Sequence, residues 1–273
     1  VVKDIIISAF RGYDYNVVKP YIDSINNTDF KGDKVLIAID INDKTKQQIE
    51  DAGWICEVRS PMSNMMFHNE RFYHLHQYMN KHQTQYRYMI STDVRDVIFQ
   101  KDPTIWLKAR LKSPHKIVAV SESILIQNEH WNRNNIQKCF PAEYERVANT
   151  PVLNVGILSG DADTLATLCG LIYQLSLNRA DWVADQAAYN VLIRLHPYSN
   201  ITMISTLIDA YACNLHITHK PNEKDMFKPY LLEKAPELSY GRMIEAETGA
   251  PYYIVHQYDR DPELVKSLIG NDK

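Results

Sequence analysis

The stretch "DIIISAF", residues 4 to 10, most narrows what this chain can become. After Asp4 it is apolar or small at every position, so neither side of the strand it would form can be turned to water. A strand of that kind needs cover on both faces, as a central strand of a parallel sheet has when helices pack above and below it. The residues that follow agree. Val1 to Phe10 reads as a first strand, Asn16 to Ile25 as a helix and Lys34 to Asp40 as a second strand. Asp43 to Ala52 reads as a helix closed by Gly53, and Trp54 to Val58 as a third strand. This βαβαβ opening predicts an α/β fold with a mainly parallel central sheet flanked by helices.

The alternation continues. Asn69 to His82 carries Phe72, Leu75 and Met79 at helical spacing, and "YRYMIST", residues 86 to 92, reads as a fourth strand. A short helix is expected from Pro103 to Leu111, then the strand "HKIVAVS", then a polar, aromatic-bearing loop "ESILIQNEHWNRNN", residues 122 to 135. "PVLNVGILSG" reads as a strand, with Asp161 or Asp163 capping the helix "TLATLCGLIYQLSL", whose Leu165, Leu168, Ile172 and Leu175 form one stripe. "VADQAAYNVLIRL" predicts a further helix, with short strands around Thr202 to Ile208 and Tyr252 to His256. There is no internal repeat and no linker, so the 273 residues are expected to form a single domain.

Several function classes fall away. A net charge of -3 offers no basic face for duplex nucleic acid. The first turn, "SAFRGYDYN", is neither GxGxxG nor GxxxxGK, which disfavours dinucleotide and P-loop chemistry. Cys56, Cys139, Cys169 and Cys213 form no CxxC pair and are expected to be reduced and mostly buried. His68, His74, His76 and His82 crowd one region, but on a helix His74 and His76 face different ways, and no HExxH is present. No GxSxG elbow appears either. No run approaches the roughly 20 apolar residues that span a bilayer, no signal segment is visible, and a cytoplasmic location is expected.

What remains is "YMISTDVRDVIFQKDP", residues 88 to 103. Ligands of parallel α/β sheets bind beyond the carboxyl ends of the strands, and Asp93 and Asp96 follow such an end. Carboxylates there can hold Mg2+ or Mn2+ with positions left for phosphate oxygens; read without that context they are surface charges on a capped turn. The stretch resembles the DxD region of metal-dependent glycosyltransferases of the GT-A fold, in which a strand runs into Asp-x-Asp, a short apolar run and Asp-Pro. Aligned on Asp102-Pro103, the second Asp of that pattern falls on Asp96 and the first on Val94, with Asp93 one place early and Arg95 between. The resemblance makes Asp96 the firmer ligand; Asp93 is open to direct ligation, contact through water or ribose binding. "LNVGILSGD" is similar to the family's Asn-x-Gly strand, giving Asn154 and Gly156, and "ADQAAYN" to its Asp-Gln helix start, giving Asp185 and Gln186. "YYIVHQYDR" places His256 where many members supply a third metal ligand.

The resemblance implies a GT-A domain, Rossmann-like with a small additional antiparallel sheet, in which residues 1 to about 110 bind the nucleotide and about 111 to 273 bind the acceptor. It implies a hexosyl- or pentosyltransferase moving sugar from a nucleotide-diphosphate donor, UDP by default, to a glycan acceptor, with Mn2+ or Mg2+ on Asp96, Asp93 and His256. Arg95, Arg260 or Lys220 would add positive charge beside the diphosphate. Ser8, Ala9, Phe10 and Arg11 at the first strand's end, with Arg71, Asp93, Val94, Arg95, Asn154 and Gly156, are the expected donor site; Phe10 either stacks on a base or belongs to the core. Asp185 is a general base if configuration inverts, or orients the sugar if it is retained, which the Asp-Gln pair and late histidine favour; it is equally suited to capping its helix. Trp131, beside His130, offers a flat face to an acceptor sugar. A metal-dependent phosphohydrolase or nucleotidyltransferase using the same carboxylates, and a non-catalytic carbohydrate-binding protein, are the alternatives.

Overall fold

The computed structural model describes residues 2–62, 65–82, 85–181 and 183–270; Val1, expected to begin the first strand, lies outside them. Strand β1 (Lys3–Arg11) is followed by helix α1 (Tyr15–Asn26), β2 (Asp33–Ile39), α2 (Asp43–Asp51), β3 (Ile55–Arg59), α3 (Phe67–Lys81), β4 (Tyr86–Thr92), β5 (Val97–Phe99) and α4 (Pro103–Arg110). Next come β6 (Ile117–Leu125), α5 (His130–Cys139), α6 (Tyr144–Val147), β7 (Pro151–Asp161), α7 (Ala162–Ser176), α8 (Asp185–Leu192), α9 (Tyr198–Ile201), β8 (Thr202–Ser205) and β9 (Ala212–Asn214). The chain closes with α10 (His216–His219), α11 (Lys224–Phe227), β10 (Glu237–Ser239), β11 (Arg242–Ile244), β12 (Ile254–His256) and α12 (Pro262–Ile269).

The central sheet has seven strands in the order β3-β2-β1-β4-β7-β6-β8. Only β7 runs against its neighbours, pairing antiparallel with both β4 and β6. The doubly buried opening strand is the reason the sheet is sandwiched. Ile5, Ile7 and Ala9 of β1 pack on one side with Phe72, Leu75 and Met79 of α3 and Leu165, Leu168 and Ile172 of α7. Ile6 and Phe10 pack on the other side with Val18, Tyr21, Ile22 and Ile25 of α1. Burying each apolar side chain of this size contributes about 1.5–3 kcal/mol, and the spacing of α1's buried residues gives that helix a single inward stripe. Asp14 starts α1 by accepting from the Val17 amide at 3.2 Å, and Asp161, not Asp163, caps α7 through Thr164 N at 3.0 Å.

Two small sheets complete the fold, β5-β12-β9 and the antiparallel pair β10-β11. In the first, β12 pairs antiparallel with β5 and parallel with β9. The expected loop over residues 122–135 is corrected: β6 runs on to Leu125, and α5 occupies most of the remainder. Glu129 supplies the missing start signal, accepting from the amides of Trp131 at 3.0 Å and Asn132 at 2.6 Å. All four cysteines are free and buried. Among the described residues no helix is long and apolar enough to cross a membrane.

Candidate active site

In the central sheet the strand order turns back between β1 and β4, and the crevice beyond their carboxyl ends is where open α/β sheets receive ligands. Asp93 is the first residue past β4, its amide donating to Gly156 O of β7 at 2.9 Å. Asp96 precedes β5, and β5 pairs with β12 so that Val97 lies opposite His256. The pairing carries a late histidine back to the acidic turn. Asp93, Asp96 and His256 thereby bring three ligand atoms within 4.8 Å of one another.

The arrangement around these atoms is directional. Arg71 donates to Asp93 Oδ1, which leaves Oδ2 facing His256 Nε2 at 3.4 Å. Arg260 donates to Asp96 Oδ2 at 3.0 Å, which leaves Oδ1 facing the same nitrogen at 3.6 Å. The ring's other nitrogen, Nδ1, meets Asn214 Oδ1 at 2.8 Å. Asn214 turns its own amide nitrogen toward Ser121 O at 3.3 Å, so its oxygen must accept and Nδ1 carries the proton. Nε2 is then the free nitrogen, sealed from solvent and without a hydrogen bond among the described residues, which is the tautomer a metal-binding imidazole requires. An orphaned imidazole nitrogen between two carboxylate oxygens fits a divalent cation.

Electrostatics agree with that fit. Burial alone would raise the Asp93 carboxyl, but Arg71 and His256 outweigh it and hold it below the usual carboxylate range. For Asp96, burial likewise opposes ionisation, while His256 and then Arg260 pull it down against the charge of Asp93. Burial would lower His256, yet Asp96 and Asp93 push it up to about 9.

Gly156 leaves room for the cluster. A Cβ there would stand 2.7 Å from Asp93 Oδ2, 2.7 Å from His256 Cε1 and 2.8 Å from Asn154 Oδ1. Asn154 accepts from Gly156 N at 2.7 Å. Asp185 opens α8 but does not cap it; the cap residue is Ala184. Its Oδ2 accepts from Arg71 Nη2 at 2.9 Å, so Arg71 bridges Asp93 and Asp185. Arg71 Nε and Asp185 Oδ1 are also sealed and unpartnered among the described residues. Gln186 accepts from Val155 N at 2.8 Å through Oε1 and directs Nε2 at Asn132 and Glu122.

The remaining expected residues divide. Arg95 lies 3.8 Å from Asp96 and 3.3 Å from Asp259, at the rim. Lys220 is not brought to the cluster; it pairs with Glu223 on the segment after α10. Phe10 has no exposed surface and packs in the core, so the stacking role is corrected. Val94, 3 % exposed, is core as well, leaving only its backbone for a ligand. Ser8 spends its hydroxyl on Tyr21 and the Thr92 amide, and Ala9 is buried. Arg11 stands at the strand's end, 3.3 Å from Glu70. Trp131 is 45 % exposed in the first turn of α5. The four crowded histidines take separate partners: His68 tilts against the Phe67 ring, His74 lies 3.3 Å from Glu70, His76 lies 2.7 Å from Ala166 O, and His82 stacks on Tyr78.

Sequence reasoning missed Glu122, Asn132 and Asn214. Asn214 sits opposite His256 in the parallel β9–β12 register, and no local motif announces that pairing. A separate groove of about 1050 Å³ between α1 and α12 contains none of the site residues.

No known family profile and no curated protein matches the chain. Among solved structures it is similar to the WbbM bifunctional glycosyltransferase in its apo form, with a TM-score of 0.58, at 11 % identity, over 93 % of this chain and 45 % of that one. The chain thus spans less than half the length of that protein, and what the two share is the fold. The acidic turn and its histidine are set on the fold that the chain shares with that protein.

Proposed function

We propose that this chain is a metal-assisted glycosyltransferase that moves a sugar from a nucleotide-diphosphate donor, UDP by default, to a hydroxyl of a glycan acceptor. The observation that supports this most is the convergence of Asp93 Oδ2, Asp96 Oδ1 and His256 Nε2 at the sheet's switch point, their outer partners already taken by Arg71, Arg260 and Asn214. Asp96, Asp93 and His256 are the proposed ligands of Mn2+ or Mg2+. Bound there, the cation would supply Lewis acidity to the diphosphate as negative charge builds on it. Arg260 and Arg95 add positive charge at the same edge.

Arg11 and the backbone at the end of β1 are placed to receive the nucleotide. Gly156 and Asn154 form the floor under the donor sugar, where a missing side chain permits close approach. Asp185, its Oδ2 held by Arg71, is assigned to orient the sugar. That assignment favours retention: the acceptor hydroxyl attacks on the face the diphosphate leaves, and its proton departs on a phosphate oxygen. Gln186, its oxygen engaged by Val155 N, positions rather than attacks. The donor half spans residues 1 to about 110 and the acceptor half about 111 to 273 of one catalytic unit.

The test is a thermal-shift panel of nucleotides with and without Mn2+. Wild-type protein should be stabilised by UDP only when Mn2+ is present, and Asp96→Ala should keep its circular dichroism while losing that response. A variant that still gains stability from UDP and Mn2+ as the wild type does would refute the assignment.

A further inference from the structure

The β6 strand loses register with β7 twice, between Ala119 and Ser121 and between Ser121 and Leu125. Inside this irregularity Ser123 takes a left-handed φ of 61°, steadied by its amide donating to Ser121 Oγ at 2.9 Å. Bulges of this kind re-aim a side chain and gather beside functional sites. The side chain re-aimed here is Glu122. Its Oε1 accepts from Asn154 Nδ2 at 2.7 Å and from Gln186 Nε2 at 3.4 Å. Its Oε2 has no partner among the described residues, yet it is not among the polar atoms sealed from solvent.

A stability role does not account for this residue. Glu122 is only 8 % exposed, and among the described residues no lysine, arginine or histidine forms an ion pair with it. A buried carboxylate without a cation is costly, and a glutamine would satisfy the two amide donors without that cost. Burial, and next the charge of Glu129, push its carboxyl up to about 7, against the pull of Asn154, His256 and Gln186. The group is held in a costly state with one oxygen left over.

We propose that Glu122 is an acceptor-binding residue, its free Oε2 accepting a hydrogen bond from a hydroxyl of the acceptor sugar. The inference rests on the glycosyltransferase reading and adds a contact to it. Asn154 links the two regions: its oxygen takes the amide of Gly156, beside the cation cluster, while its nitrogen donates to Glu122. A hydroxyl on Oε2 therefore lies across Asn154 from the diphosphate side, where an acceptor must stand to meet the donor sugar. Gln186 and Asn132 flank the same spot and are fixed by their own hydrogen bonds.

The experiment measures UDP affinity with Mn2+ by calorimetry, and nucleoside diphosphate release from a panel of UDP- and GDP-hexoses with p-nitrophenyl glycosides as acceptors. In Glu122→Gln, UDP affinity should stay within about twofold of wild type while acceptor KM rises about tenfold to a hundredfold, the loss of a hydrogen bond to a charged group. Glu122→Asp, which keeps the carboxylate on a shorter arm, should recover part of the loss. An unchanged acceptor KM in Glu122→Gln, equal impairment of the two variants, or UDP affinity falling in step with acceptor affinity would each overturn the proposal. So would wild-type turnover with water and none with any glycoside. A wild type that binds no UDP with Mn2+ defeats the glycosyltransferase reading before any variant is compared, and this proposal with it.

Discussion

Replacing Gly156 with alanine adds one methyl group at the most constrained point of the site. The added carbon would lie 2.7 Å from both Asp93 Oδ2 and His256 Cε1, whereas ordinary contact begins at 3.4 Å, so each must retreat by about 0.7 Å. Neither is free to do so. Asp93 is clamped by Arg71 and by the hydrogen bond its amide donates to Gly156 O, and the imidazole is held through Asn214. Gly156 is not among the residues of positive φ, so its backbone accepts alanine and the strain is confined to the side chains. Overpacking of this kind costs about 1–3 kcal/mol in fold stability. The effect on a cation is larger in kind, because ligand distances must hold to about 0.2 Å. Wild-type protein at a hundredfold excess over the dissociation constant gains about 2.7 kcal/mol from a ligand, which for a chain of this size is a rise in Tm of roughly 5–10 °C. Scanning fluorimetry with Mn2+ and UDP should show that rise in wild type and lose it in Gly156→Ala, with circular dichroism unchanged. An alanine variant that keeps the full rise would refute the claim that Asp93, His256 and Gly156 share one cation-binding space.

Arg71→Met leaves Asp93 and Asp185 facing each other without a cation, and removing one partner of such a buried network costs about 3–5 kcal/mol; denaturant unfolding should register that loss, and saturating Mn2+ should restore part of it. Glu122 titrates at about 7 in the fold against 4.5 for an ordinary glutamate. With the folded value raised, its contribution is fully present below the unfolded value and is lost as pH rises through the folded one, a cost of about 3 kcal/mol above neutrality. Urea unfolding at about pH 5 and about pH 8 should find most of that loss, about 2–3 kcal/mol, in wild type and not in Glu122→Gln, and parallel pH dependences in the two proteins would contradict it. Phe10→Ala should destabilise by about 3–5 kcal/mol as a core deletion, with the folded protein keeping its UDP affinity; a specific loss of UDP binding would return Phe10 to the donor site.

The central layer of the fold was legible because its determinants are local. Ile5, Ile6 and Ile7 are buried on alternate faces, and a strand apolar on both faces has few other places to go. Helices α3 and α7 were legible from stripes that their own sequence spacing sets, and α2 from the glycine that closes it. The end of strand β6 and helix α5 were misread as loop because "ESILIQNEHWNRNN" mixes polar and apolar residues with no dominant period. Glu129, the residue that starts α5, is not among the commonest cap types. The antiparallel direction of β7 is a tertiary outcome that no window of its own sequence encodes.

The site divides along the same physical line. Asp93, Asp96, Asn154, Gly156, Asp185, Gln186 and His256 stand in short motifs, and all but Asn154 and Gly156, which lie within β7, sit where a strand or helix begins or ends. What makes them a site is register: Val97 opposite His256, Asn214 beside it, and Asp93 bonded to Gly156. Arg71 was picked out for its place at a helix start, but its function in the structure comes from Asp185, 114 residues away. Glu122 was invisible for a sharper reason. A carboxylate in a polar stretch reads as solvated, and only a bulge that turns it inward, toward two amide nitrogens and without an ion-pair partner among the described residues, converts it into a buried acid. Sequence can place a charge near a strand's end; whether water or protein surrounds it is decided by the register of the neighbouring strands, and that sets both its proton affinity and what it can bind.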